Sequence, residues 1–173
     1  MKTIARLLIF FSLLMVAIPG CRDTGLNADH SGNINAHELF TRQHYAVENR
    51  RSGLSWISDA VAFEQFCRRF PRKTIGSGDC GSYAVDFEHE GVLVIDMGTK
   101  NTSGYSLGLA QSRVPVLDGT AVVTVEWMEP PPDAFLAQVI THPCMAVKLP
   151  NTGFTKIRVV DQTGRNRGEL ALP

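Results

Sequence analysis

The sequence predicts an α+β domain, with one main helix packed on a mostly antiparallel sheet of about five to six strands. Three observations predict it. A single segment, DAVAFEQFCRRF, spaces its aromatic residues as a helix does. The segments after it are short, apolar or alternating, and bounded by glycine or proline. Between two of them the run Pro130 to Pro132 cannot continue a ladder and has to be a connection.

Taken in order, QHYAVENRRSGLSWI opens the domain with Tyr45 and Val47 in strand alternation. Ser58 or Asp59 then caps the helix, in which Phe63, Phe66, Cys67 and Phe70 share one face, and Pro71 ends it. GVLVIDMG is an apolar run with glycine at each end, the pattern of a buried strand. YSLGLAQSRV alternates weakly around Gly108, which marks a bulge or a close backbone approach. TAVVTVEWME sets Ala121, Val123, Val125 and Trp127 on one side. FLAQVITHPCMAVKLP supplies a strand or a pair broken near Pro143, and FTKIRVVD is the last strand before a Gly- and Arg-bearing tail. The stretch GTKNTSGY is a turn: Gly98 and Gly104 allow backbone conformations denied to other residues, and Tyr105 begins the next strand.

The opening MKTIARLLIFFSLLMVAIPGC reads as an export signal. Lys2 and Arg6 precede an apolar run, Leu7 to Ile18, that is too short to span a bilayer. Its end, Ile18-Pro19-Gly20-Cys21, resembles the bacterial lipobox, from which Pro19 departs. That resemblance implies cleavage before Cys21 and its modification with acyl chains such as palmitate, and two or more chains give stable membrane anchoring. Residues 1–20 are thus read as a lipoprotein signal peptide, 21–42 as a flexible tether rich in Asn, Asp, Gly and Ser, and 43–173 as a single domain. Arg22 stands where an Asp commonly signals inner-membrane retention in such lipoproteins, which points to the outer membrane, facing the periplasm.

Charge and cysteine usage narrow the function classes. The chain has 17 basic and 17 acidic residues, and Lys2 and Arg6 leave with the signal. The mature chain is then slightly acidic, with no electrostatic reason to bind nucleic acid. Beyond Cys21 stand Cys67, Cys80 and Cys144, an odd number that allows at most one bridge in an oxidising compartment. Sequence leaves the three pairings open; Cys67–Cys80 closes the shortest loop and is preferred. No CxxC or HxxxH spacing accompanies them, and His30, His37 and His44 lie in a polar segment without other ligands. Neither a metal nor a cofactor is expected.

From Asp86-Phe87 onward the order of features resembles the C-terminal domain of the PrcB family. The features are Asp-Phe before an apolar strand, then Gly98 and a polar turn ending in Gly104-Tyr105. The Pro130 to Pro132 loop follows, then Thr141 and Pro143 ahead of a valine-bearing strand, Val147 to Pro150. Ser103 departs from the first glycine of the family's Gly-Gly-Tyr. The match covers about residues 85 to 160. The resemblance implies an exported bacterial protein, often a lipoprotein, whose namesake is a non-catalytic lipoprotein subunit of a surface protease complex.

The candidate chemistry is sparse. Ser103 has no neighbouring base to activate it, and there is no GxSxG. GSGDCGS, residues 76–82, places Cys80 beside Asp79 without the cationic neighbours that lower a thiol pKa, and no Lys-Ser/Thr follows. Glu126 and Glu129 flank Trp127, but a paired-carboxylate hydrolase needs further cleft residues that the sequence does not place. The reading is a non-catalytic lipoprotein that binds or helps assemble an envelope partner, a protease complex among the candidates. The alternative is a small envelope hydrolase with an unrecognised active site. The expected partner surface comprises Tyr105, Trp127, Pro131 and Pro132, with Trp127 as an apolar anchor. A competing reading puts Trp127 in the core, continuing the face of Val123 and Val125.

Overall fold

A computed structural model of the chain describes residues 32–43, 51–70 and 83–173. Among the described residues are ten strands and one helix: β1 (Gly32–Asn35), β2 (His37–Arg42), β3 (Gly53–Ile57), α1 (Ala60–Cys67), β4 (Glu90–Asp96), β5 (Ser106–Leu109), β6 (Arg113–Leu117), β7 (Thr120–Met128), β8 (Cys144–Pro150), β9 (Lys156–Asp161) and β10 (Asn166–Ala171). They form two sheets. One has six strands, in the order β1-β6-β7-β9-β10 with β5 also on β7; the other has four, in the order β2-β8-β4-β3. Every pairing is antiparallel except that of β7 with β9.

The expectation of one main helix on one sheet is therefore corrected to a mostly-β domain of two packed sheets with a short helix on the outer face of one. Strand alternation decides the layering. On β4, Leu93 and Ile95 join Met145, Val147 and Leu149 of β8 against Val114, Val116, Ala121, Val123, Val125, Ile157 and Val159 of the larger sheet. The neighbouring Val92 and Val94 point the other way, onto Phe40, Ile57, Ala146 and the α1 residues Phe63 and Phe66. A strand buried on both faces has no reason to alternate in polarity, which is why GVLVID reads as a continuous apolar run.

Helix α1 is held locally as well as by packing. Asp59 is its cap, its Oδ1 accepting from Ala62 N at 2.7 Å. The Phe70 N–H donates to Cys67 O in a closing turn, so the helix is shorter than the aromatic spacing suggests. Phe66 and Phe70 meet edge to face at 5.2 Å; Phe40 of β2 stacks on Phe66 and meets Phe70 edge to face. Among the described residues no helix is long and apolar enough to cross a membrane.

A second correction concerns the tether. Residues 32–42, assigned to a flexible linker, are strands β1 and β2, paired with β6 and β8. The chain changes sheets at Ala36, which is fully buried and donates its N–H to Ser112 O at 2.7 Å. Edge strands draw much of their stability from backbone pairing and need few apolar side chains. A polar stretch can therefore be ordered without showing it in composition. The domain begins by Gly32, not Gln43; residues 21–31, and the Tyr45 and Val47 alternation, lie outside the described residues.

YSLGLAQSRV also divides in two. Both β5 and β6 pair with β7, but in registers offset around Ala110 to Ser112, so the irregularity sits just after Gly108. The β6–β7 hairpin closes through Asp118 (φ 47°) and Gly119 (φ 71°), a two-residue turn with both backbones left-handed. The tail after FTKIRVVD is strand β10.

Candidate functional site

One end of the sandwich gathers the loops singled out from the sequence. The segment between β4 and β5, residues 97–105, crosses there from the small sheet to the large one; the segment between β7 and β8, residues 129–143, crosses back. They are tied to each other. Lys100 and Thr141 exchange both backbone hydrogen bonds, at 2.8 and 2.9 Å. Ser103 N donates to Ala137 O at 3.1 Å, Met97 N to Pro143 O at 2.9 Å, and the buried Thr141 hydroxyl to Thr102 O at 3.1 Å. Gly98 (φ 76°) and Gly104 (φ 94°) supply the left-handed conformations this route requires. At Gly104 there is a second demand, because an added Cβ would sit 3.1 Å from Pro130 Cβ and 3.3 Å from Leu136.

Of the two readings of Trp127, exposed anchor and core residue, the structure takes the second. It is 6 % exposed and belongs to the core with Val123 and Val125. The period of β7 decides this: residues 121, 123, 125 and 127 face the small sheet, while Glu126 and Met128 face outward. Its ring edge still has work at the root of the 129–143 connection. Nε1–H donates to Glu129 Oε1 at 2.7 Å, and the Arg167 guanidinium stacks 4.6 Å from the indole centroid. Arg167 also bonds Glu129 at 3.3 Å and Asp161 at 2.8 Å, and Gln162 pairs with the Trp127 backbone through both its amide atoms. Asp161, buried at the end of β9, accepts from the Thr163 hydroxyl and from the N–H groups of Thr163 and Arg165. These bonds, led by the Thr163 hydroxyl and including Arg167, hold its carboxyl far below the ordinary carboxylate range against the opposing effect of burial.

The other named residues divide between this end and elsewhere. Tyr105 is half-buried against the core, immediately ahead of β5, with Lys100 Nζ 4.9 Å from its ring centroid. Pro131 and Pro132 are exposed at the start of the connection, where Pro131 O accepts from Ala134 N. Sequence reasoning passed over the residues beside them. Phe135 is fully exposed, and Val139 and Ile140 are also in solvent, while Leu136 turns inward onto Gly104. An apolar residue flanked by apolar residues carries no local sign of which one faces out.

Cys67 is disulfide-bonded. Cys80, its preferred partner, lies outside the described residues with Cys21 and the GSGDCGS loop. Among the described residues one group of three side chains could share a cation: Asp86, Glu88 and His89, all exposed. Asp86 and His89 already bond each other at 2.8 Å, which lowers the Asp86 pKa. The two glutamates flanking Trp127 do different things: Glu126 points into solvent from the outer face of β7, and Glu129 is held by Trp127 and Arg167.

The stretch from β4 to the end of β8, which contains both crossing segments, is the part that resembles a known family. Residues 92–150 match the model of the family described as PrcB C-terminal. The PrcB resemblance read from the sequence thus holds for the part of the domain that builds this end. Neither a curated protein nor a solved structure gives a significant match.

Proposed function

We propose that the chain is a non-catalytic, membrane-anchored lipoprotein that binds an envelope protein, and that it does so through the end of the sandwich built from residues 97–105 and 129–143. The reading of a lipid anchor on Cys21, in the outer membrane and facing the periplasm, comes from the signal-like N-terminus. The family resemblance makes a protease complex the leading kind of partner. One observation carries the placement of the surface. The 129–143 connection is clamped at its root by Trp127, Glu129 and Arg167, at its middle by Ser103, and at its far end by Lys100. It nevertheless leaves Phe135, Val139 and Ile140 in solvent. Apolar side chains on a held loop lose little entropy when a partner covers them, whereas in a monomer they contribute nothing to the core.

The test is co-purification from detergent-solubilised membranes, comparing the wild-type lipoprotein with a Phe135→Ser, Ile140→Ser variant. Because both positions are exposed, the variant should melt within a degree or two of wild type, yet lose most of the co-purified protein. Full retention of the partner by a normally folded variant would place the binding surface elsewhere.

A further inference from the structure

Whatever covers Phe135 has also to satisfy the main chain on which it stands. Exposure alternates from half-buried Ala134 and exposed Phe135 to half-buried Leu136 and exposed Ala137, the pattern of an extended chain. Two bonds bound this stretch: Ala134 N donates to Pro131 O, and Val139 N donates to Ala137 O in a tight turn around Gln138. Between them the backbone is open. Among the described residues the N–H groups of Phe135, Leu136 and Ala137 donate to no acceptor, and the carbonyls of Ala134, Phe135 and Leu136 accept from no donor. In the isolated chain water satisfies them.

Burying the Phe135 ring strips that water from the peptide groups on either side of it. Each N–H or C=O then left unpaired costs its full desolvation penalty, which works against the gain from the ring. The covering surface must therefore supply donors and acceptors in a row as well as an apolar pocket. A bilayer interior supplies neither donors nor acceptors and does not admit irregular backbone. A protein cleft that binds extended chain supplies both: its main chain pairs with the bound segment, and its pockets take alternate side chains.

Resting on the reading that this end binds a protein, we propose that the partner holds residues 134–137 as an extended peptide, in a cleft whose polar groups pair with their main chain and whose apolar pocket takes Phe135. Val139 and Ile140, exposed beyond the turn, lie against the rim of that cleft. The segment is set for this before binding. Leu136 is packed over Gly104, Ser103 N holds Ala137 O, and the Lys100–Thr141 bridge fixes the far end, so little order is lost when the cleft closes on it. The substrate cleft of a protease grips an extended chain through the same contacts, which suits the kind of partner that leads the functional reading.

The test is amide hydrogen exchange on the full-length lipoprotein, alone and in the complex co-purified from detergent-solubilised membranes. The amides of Phe135, Leu136 and Ala137 should exchange fast in the lipoprotein alone and roughly a hundredfold or more slower in the complex. Phe135→Ala, melting as wild type does, should lower the co-purified protein by about tenfold or more. If Phe135→Ser, Ile140→Ser loses the partner but these amides exchange as fast in the wild-type complex as alone, or Phe135→Ala captures fully, the cleft is overturned and protein binding at this end stands. Protection by phosphatidylglycerol vesicles without the partner, or a complex holding only a second copy of the chain, would overturn the cleft as well. Full retention by the folded serine variant, or no co-purified protein from wild type, would overturn both readings.

Discussion

Replacing Trp127 separates a core tryptophan from a surface anchor. The side chain is 6 % exposed and packs with Val123, Val125 and the facing sheet. A tryptophan buries roughly 200 Å². At about 25 cal/mol per Å² this corresponds to about 5 kcal/mol, an upper figure because the unfolded chain is already partly compact. Core Trp→Ala changes cost about 3–5 kcal/mol, so Trp127→Ala should unfold at a denaturant concentration lower by that amount divided by an unchanged m value. Trp127→Phe keeps most of the ring but loses the N–H that reaches Glu129, and should cost about 1–2 kcal/mol. The assay is urea unfolding of the mature chain without its lipid, followed by partner capture at a temperature where each variant is folded. Trp127→Phe should capture normally, because the indole does not face the partner. A Trp127→Ala variant within about 0.5 kcal/mol of wild type, or a folded Trp127→Phe that no longer captures, would refute this and restore the anchor reading.

Three further outcomes are expected. Gly104→Val should lower the melting temperature, since a β-branched residue at φ 94° costs about 1 kcal/mol or more before its contact with Pro130 and Leu136 is counted; an unchanged melting curve would count against the turn geometry. Asp161 has a depressed folded-state pKa, so its contribution is complete above the unfolded value of about 4 and is lost as pH falls from there towards the folded value. Asp161→Asn should therefore be less stable at neutral pH and show a flatter loss of stability on acidification below about pH 4; parallel wild-type and variant curves would contradict the assignment. Metabolic labelling with a fatty-acid analogue should mark the wild type and not Cys21→Ser, and equal labelling of both would remove the lipid anchor from the account.

Sequence by itself determined the elements whose local pattern matches their environment. Asp59 with Phe63 and Phe66 announces α1, since cap and face are both encoded within one segment. The alternation of Ala121, Val123 and Val125 announces β7 with the correct inward face, and Gly98 and Gly104 announce a turn that only left-handed residues can make. Asp118-Gly119, within VLDGTA, is an equally local hairpin signal. Tertiary structure alone decided the rest. β1 and β2 are polar and exist because β6 and β8 offer them open backbone edges, a partner that composition cannot reveal. GVLVID is buried on both faces because a second sheet lies on one side and α1 on the other, so one-sheet packing could not be told from two. Likewise, Trp127 is interior because the smaller sheet covers its face, whereas Phe135 is in solvent because Leu136 takes the place over Gly104. Burial is a property of what lies opposite a side chain, and for these residues nothing nearby in sequence says what that will be.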